Sequence, residues 1–198
     1  MEVDDELSWI KQRLNFTARF GEFNVVDGMW NVRVTSHVLI KDVAGLLTEE
    51  RVLHARMLSD ETLKGAGFDW PRIAVAALNP HADDGGAIGR EEIDIIAPEI
   101  EKAKAKQIDF AGPFPSDTLY LKVRDGEYDS AVSMFHDQGQ VAIKLLGFHK
   151  GVNGSRGPAN TNCNAGSRKC FWYCVHKLRQ RCSHTKCLHN IGWYDWKP

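Results

Sequence analysis

Cysteine is missing from the first 153 residues of this 198-residue chain. Nothing in that stretch can therefore be held by a disulfide or by thiolate ligands, a usage that suits a reducing compartment. No apolar run approaches the roughly 18 to 20 residues of a membrane span. The acidic start, MEVDDELSWIKQRLNF, lacks the basic-then-apolar layout of a secretory signal. A cytoplasmic protein is the expectation. The G-x-G-x-x-G spacing of a dinucleotide fingerprint is also absent, as is any internal repeat. What remains, 43% hydrophobic and 26% charged, is ordinary globular composition, enough for one sizeable domain or two small ones.

The net charge of −1 hides a split. Residues 1–153 carry 17 Lys+Arg against 25 Asp+Glu, whereas residues 154–198 carry eight Lys+Arg against Asp195 alone. All five cysteines (Cys163, Cys170, Cys174, Cys182 and Cys187) and three of the six tryptophans lie in that tail. So abrupt a change implies two parts of different origin. Two readings of the tail compete with a disordered or poorly packed one. Cys170-x3-Cys174 and Cys182-x4-Cys187, interleaved with His176, His184 and His189, suggest a zinc-binding module, but neither spacing is a standard finger. The positive charge with Trp and Tyr suggests a nucleic-acid patch, yet no partner of that kind is expected.

Further upstream, strand, polar loop and helix alternate. VRVTSHVLI (32–40) reads as a β-rich segment, and Thr48 caps a helix running to Lys64 through Val52, Leu53 and Met57. IAVAAL (73–78) and AVSMF (131–135) are short continuous apolar runs typical of buried parallel strands. Between them, Glu91 to Lys106 is helical with a kink at Pro98, and Asp109 to Pro115 is a short strand and loop. This is the α/β class with a largely parallel sheet, in which ligands gather beyond the carboxyl ends of strands. His37, His81 and His136 fall in polar loops beside such runs. Neutral imidazole is the commonest side-chain ligand for divalent transition metals, and a catalytic site uses three ligands with a position left open. Asp117 and Asp137 are carboxylate candidates for orienting a ligand or moving a proton, and Lys144 for neutralising a phosphate or an oxyanion. Gly85, Gly86 and Gly89 form either a plain turn or a loop whose N–H groups approach an anion.

Four segments occur in order: TSHVLIKDV (35–43), ALNPHADDGGAIGREEIDIIAP (77–98), GPFPSDT (112–118) and MFHDQGQVAIKLLGFHKGVN (134–153). Together they resemble consecutive motifs of the 4-hydroxythreonine-4-phosphate dehydrogenase family. The HDQGQ form looks closer to its branch acting on 4-phospho-D-threonate or 4-phospho-D-erythronate. The resemblance implies a partial α/β/α fold like that of isocitrate and isopropylmalate dehydrogenases, covering residues 22–153. It further implies NAD-dependent oxidation of a phosphorylated hydroxy acid followed by decarboxylation, with a divalent cation (Zn, Mg, Mn or Co) as Lewis acid, in the chemistry of pyridoxine biosynthesis. His37, His81 and His136 match its metal ligands, Asp117 its acid beside the site, and Lys144 and Asn153 its substrate contacts. No residue is assigned to NAD. Family members are homodimers that share the metal site across the interface.

The sequence departs from the family pattern in places. Asp83 stands where the motif has Gly, an exchange tolerated at positive φ better than most. Residues 1–21 carry no family motif, and the Gly-Leu-Pro and His-Gly-Thr-Ala-like text expected after Asn153 is missing. The chain is accordingly expected to be either inactive or a non-catalytic remnant that dimerises or binds an intact paralogue. Codons for Ser167 to Cys174, read one base later, permit His-Gly-Ser-Ala-Phe-Gly-Ile-Ala, because Trp172 followed by the first base of Tyr173 must then encode Gly. From Gly154 the same shift permits Val-Leu-Gly-Gly-Leu-Pro-Ile-Pro. A frameshift near codon 153 is the hypothesis this suggests. Resequencing codons 145 to 200 should reveal that text in another frame; a DNA reading with no family motif in any frame would sink it.

Overall fold

Large and small side chains alternate along the strands, and this sorting sets the layers. The computed structural model describes residues 21–104, 109–147 and 151–156. The expectations for residues 1–20 and for the tail beyond Arg156 lie outside the described residues. Strands β1 (Gly21–Val26) and β2 (Met29–Arg33) form a hairpin. Its two-residue turn is Asp27 (φ 44°) and Gly28 (φ 89°), the positive pair that matches the twist of the flanking strands. A tight turn and a short helix α1 (Val43–Leu46) lead into α2 (Glu49–Gly65), β3 (Ile73–Ala76), a π-helical turn (Glu92–Ile96), α3 (Ala97–Lys104) and β4 (Phe110–Phe114). Then come α4 (Ser116–Arg124), β5 (Ser130–Ser133), α5 (His136–Gly147) and β6 (Val152–Arg156).

One six-stranded sheet results, in the order β4-β3-β5-β2-β1-β6. β4, β3, β5 and β2 pair in parallel; only β1 runs against its neighbours β2 and β6. The largely parallel α/β/α expectation therefore holds. One face carries the bulk: Phe23, Trp30, Val32, Ile73, Val75, Phe110 and Val132, covered by Leu58 and Leu63 of α2 and Ile100 of α3. The opposite face carries Ala74, Ala76 and Ala131 with Val26 and Met29, covered by Leu119 and Tyr120 of α4 and Ile143 of α5. Across it, in register, run Asn24, Asn31, Ala131, Ala74 and Ala111. Residues this short let helices sit close to the sheet.

Several boundaries differ from those read in the sequence, for identifiable reasons. β2 begins three residues before Val32 and ends at Arg33, because its partner β5 stops at Ser133 and leaves residues 36–40 no ladder. Val38, Leu39 and Ile40 are consequently exposed. Helix α2 starts where expected: Thr48 Oγ1 accepts from the Arg51 N–H at 3.2 Å. The expected kink at Pro98 takes the form of the π turn just before it. Ala97 N–H reaches back five residues to Glu92 O, and Pro98 has no N–H to offer the next carbonyl.

Between α2 and α3 the core holds an ion pair, Arg56 Nη2 to Glu99 Oε1 at 3.1 Å, with side chains 2% and 4% exposed. The guanidinium also lies 5.5 Å from the Phe110 ring centre. Removing one partner strands the other charge in low dielectric, which costs about 3–5 kcal/mol, whereas replacing both by apolar groups is often neutral. Glu99→Leu should therefore lower stability by about that much in urea unfolding. The Arg56→Met/Glu99→Leu double variant should recover most of the loss; equal losses in both would show that the pair is not what the single change disturbs.

Candidate metal centre at the carboxyl edge of the sheet

The carboxyl ends of β4, β3, β5 and β2 share one edge, and the chain leaves them through Asp117, His81, His136 and His37 respectively. Open α/β sheets hold their ligands at such an edge. Beyond the strand ends the β2–β5 pairing continues. Val34 N–H and Thr35 N–H donate to Ser133 O (2.9 Å) and Met134 O (3.0 Å), and Thr35 Oγ1 donates to Met134 O at 2.7 Å. These bonds bring His37 to His136, with ring centres 5.5 Å apart and planes at 45°.

Two imidazoles bound to one tetrahedral ion through nitrogens at about 2.0–2.1 Å have centres roughly 5 Å apart, so the pair fits a shared cation. His136 Nδ1 lies 2.7 Å from Asp137 Oδ1. A carboxylate only accepts, so Nδ1 carries the proton and Nε2 keeps its lone pair for a ligand. His81 does not join them. Among the described residues, no group of three or more His, Cys, Asp or Glu side chains is placed to hold a metal ion. His81 stands exposed on the loop after β3.

Each residue of the His136–Gln140 segment has a distinct task. Gln138 Oε1 accepts from Met134 N–H at 2.6 Å, and its Nε2 donates to Ala77 O at 2.7 Å, tying the end of β5 to the end of β3. At Gly139 a Cβ would lie 2.3 Å from Asn31 Nδ2, so only glycine lets α5 approach the sheet here. Gln140 Nε2 donates to Asn24 Oδ1 at 2.8 Å, an oxygen that also accepts from Arg33 Nη1 at 2.9 Å. Arg33 is in turn paired with Glu22; burial lowers its pKa, and that carboxylate opposes the shift. Tyr120, which donates to Asn31 Oδ1 at 3.2 Å, has its hydroxyl pKa pushed up by burial. Gln138, Gly139 and Gln140 fall within the HDQGQ motif, but their roles, like those of Asn24, Asn31, Arg33 and Tyr120, depend on which strand lies opposite and are not legible locally.

The loop after β3 is wound left-handed: His81, Ala82, Asp83 and Asp84 have φ of 57°, 58°, 76° and 48°. Each non-glycine residue held so costs roughly 1–2 kcal/mol. Asp83 has a positive φ, the condition under which Asp in place of glycine is tolerated better than most residues, and its Oδ1 accepts from the Gly86 N–H at 3.0 Å. That donor of the Gly-rich loop is thus engaged internally. Two glutamates brace the loop entry. Glu92 Oε1 accepts from Leu78 N–H (2.7 Å) and Asn79 N–H (2.8 Å), and its Oε2 from Asn79 Nδ2 (2.9 Å). Glu91 Oε2 accepts from the same Nδ2 at 2.7 Å. The Glu91 carboxyl is held below the usual range, first by its own backbone N–H and then by that amide.

Three other expected site residues are spread further. Asp117 is exposed in the first turn of α4. Lys144 is exposed in the last turn of α5; eight helical residues place it about 12 Å along the axis from His136. Asn153 lies on β6, in register opposite Asn24.

Fold and edge together define an α/β/α scaffold of the dehydrogenase type with two imidazoles side by side at the carboxyl edge of its sheet. Residues 1–161 match the family described as Pyridoxal phosphate biosynthetic protein PdxA, and the chain belongs to that family. The match takes in residues 1–21, which carried no recognisable motif, and ends eight residues into the Cys-rich tail. Over 154 residues the chain is 51% identical to "Putative 4-hydroxythreonine-4-phosphate dehydrogenase 2" of Pseudomonas aeruginosa, covering 77% of this chain and 46% of that protein. It is 47% identical over 122 residues to the D-threonate 4-phosphate dehydrogenase of Pectobacterium atrosepticum, covering 62% and 37%. The crystal structure of 4-hydroxythreonine-4-phosphate dehydrogenase from Klebsiella pneumoniae superposes with a TM-score of 0.71 at 34% identity, over 76% of this chain and 45% of that one. The chain thus spans less than half the length of these relatives. No helix among the described residues is long and apolar enough to cross a membrane.

The Asp137 side chain is 76% exposed, so its removal should leave folding intact. With His136 as a metal ligand, Asp137→Ala should nonetheless weaken divalent-metal binding about 10- to 100-fold, the usual effect of losing a ligand's orienting partner. Zinc titration calorimetry beside a thermal melt checks both halves of that statement.

Proposed function

We propose that this chain is the metal-binding core of an oxidoreductase that transfers hydride to NAD from a phosphorylated hydroxy acid, such as 4-hydroxythreonine 4-phosphate or 4-phospho-D-threonate. The observation that carries the reading is the His37–His136 pair at the carboxyl edge, with Asp137 on His136 Nδ1. Membership of a family whose relatives bear those substrates in their names supports it. His37, His81 and His136 would hold a divalent cation; imidazole ligation suits zinc or cobalt best, whereas manganese and above all magnesium would depend on oxygen ligands from substrate and water. When bound, the cation supplies Lewis acidity toward a substrate hydroxyl and its neighbouring carboxylate.

The chain's own side chains divide the remaining work. Asp137 keeps the His136 proton on Nδ1 and so leaves Nε2 for the cation. The Asp117 carboxylate is assigned to proton exchange with the reacting hydroxyl. Lys144 and Asn153 contact the substrate, the ammonium matching a phosphate or a developing negative charge. Because His37 and His136 meet within one chain and His81 stands apart, the third ligand is assigned to a second copy. Exposed apolar side chains fit such a contact: Leu39 and Ile40 after His37, and Val141 and Leu145 further along α5, are 57–82% exposed.

Light scattering, zinc titration and NADH formation on the whole chain test this together. A dimer whose zinc affinity falls at least tenfold in His37→Ala and in His136→Ala is expected, and NADH from either substrate would establish catalysis. A metal-binding dimer that forms no NADH would favour the second reading, a non-catalytic remnant that dimerises or binds an intact paralogue. Zinc binding indifferent to both substitutions would overturn the site.

A further inference from the structure

We infer that Glu92 is the positioning residue of His81. The inference rests on the reading of His81 as a metal ligand and adds to it the device that aims this ligand. β3 ends at Ala76, and Ala77 N–H still finds Phe114 O of the neighbouring strand at 2.8 Å. The next two N–H groups, of Leu78 and Asn79, have no strand to bond. Both turn to a single oxygen of Glu92, which is 2% exposed, while its other oxygen takes the Asn79 side-chain amide. Three donors on one buried carboxylate fix the direction in which the chain leaves the sheet. The left-handed turn that presents His81 begins at the very next residues.

Two further features show that this is an aiming device rather than simple filling. Glu92 opens the π-helical turn, in which one extra residue per turn rotates a side chain out of the ordinary helical sequence of directions. The glutamate thereby reaches back fourteen residues to Leu78 and thirteen to Asn79. On the other side of the strand exit, Ala77 O is held by Gln138, two residues after His136. The His81 arm is therefore fixed from below by Glu92 and tied laterally to the His136 arm. Glu91 shares the Asn79 amide, but it is more open and touches no strand N–H, so it assists without setting the direction.

The test compares wild type, Glu92→Ala, His81→Ala and the double variant, using zinc as the probe. Amide hydrogen exchange at Leu78 and Asn79 should accelerate at least tenfold in Glu92→Ala, with Val75 inside β3 unchanged. Zinc affinity should fall at least tenfold, and the double variant should bind no more weakly than His81→Ala alone, because a misdirected ligand and a missing one are equivalent. Asn79→Ala, which keeps both backbone bonds to Glu92, should retain zinc affinity within about threefold of wild type. Faster exchange with unchanged zinc affinity in Glu92→Ala, or additive losses in the double variant, would overturn the positioning role. If His81→Ala itself binds zinc like wild type, the ligand assignment fails instead, and the exchange data alone decide whether the clamp exists. Global unfolding of Glu92→Ala would appear as lost protection at Val75; Glu92→Asp, one methylene shorter and so drawn back from both N–H groups, then replaces it with the same two criteria.

Discussion

Helix α5 can lie on the sheet only as deeply as Gly139 lies on Asn31, and much of the molecule follows from that contact. Its depth depends on a row of short residues, Asn24, Asn31, Ala131 and Ala74, running across four strands. Asn31 also accepts from Tyr120, so the seat of α5 is shared with α4. Because α5 begins at His136, the height of the helix above the sheet sets where that imidazole sits relative to His37. Close packing makes such heights hard to adjust: interiors transmit a displaced methyl group instead of absorbing it. A site built on this helix inherits the rigidity of the sheet beneath it.

The opposite arm of the site is made differently. His81 is carried on backbone that L-residues resist, through four consecutive positive φ values. Conformations of this kind persist only where their surroundings over-determine them, and they cluster at functional positions. Here the surroundings are polar: Glu92 and Glu91 at the entry, Asp83 within the turn, and Gln138 from across the sheet. One imidazole is thus placed by the close seating of a helix on short side chains and the other by a mesh of hydrogen bonds.

Much of this was legible in the sequence. Continuous apolar runs marked β3 and β5, Thr48 marked the start of α2, and four ordered motifs pointed to the family and to the edge where His37, His81 and His136 emerge. The β1–β2 hairpin was missed, although Asp27-Gly28 between apolar runs is a hairpin signal, and the strand expected over residues 32–40 runs too far toward Ile40. Where β2 ends could not be read locally, since it depends on β5 stopping at Ser133, about a hundred residues on. The same holds for the supporting residues. Glu92, Gln138 and Arg33 look like ordinary polar positions until the strand or loop opposite each is known. Asp83 shows the converse: a departure from a motif, weighed on backbone grounds alone, sits at a positive φ that Asp tolerates better than most residues.

The imidazole pair joins two points 99 residues apart in the chain, through strands that are not consecutive. Contacts of such high sequence separation carry the loop-closure entropy of everything between them and slow the search for the native state. The hairpin and the helices can form from local information, but this pair cannot exist until the non-local β2–β5 ladder has closed. A cation that binds only the closed arrangement draws the folding equilibrium toward it by mass action. A cation held between the two imidazoles would therefore also latch a long-range contact of the sheet, and occupancy and foldedness would become one equilibrium.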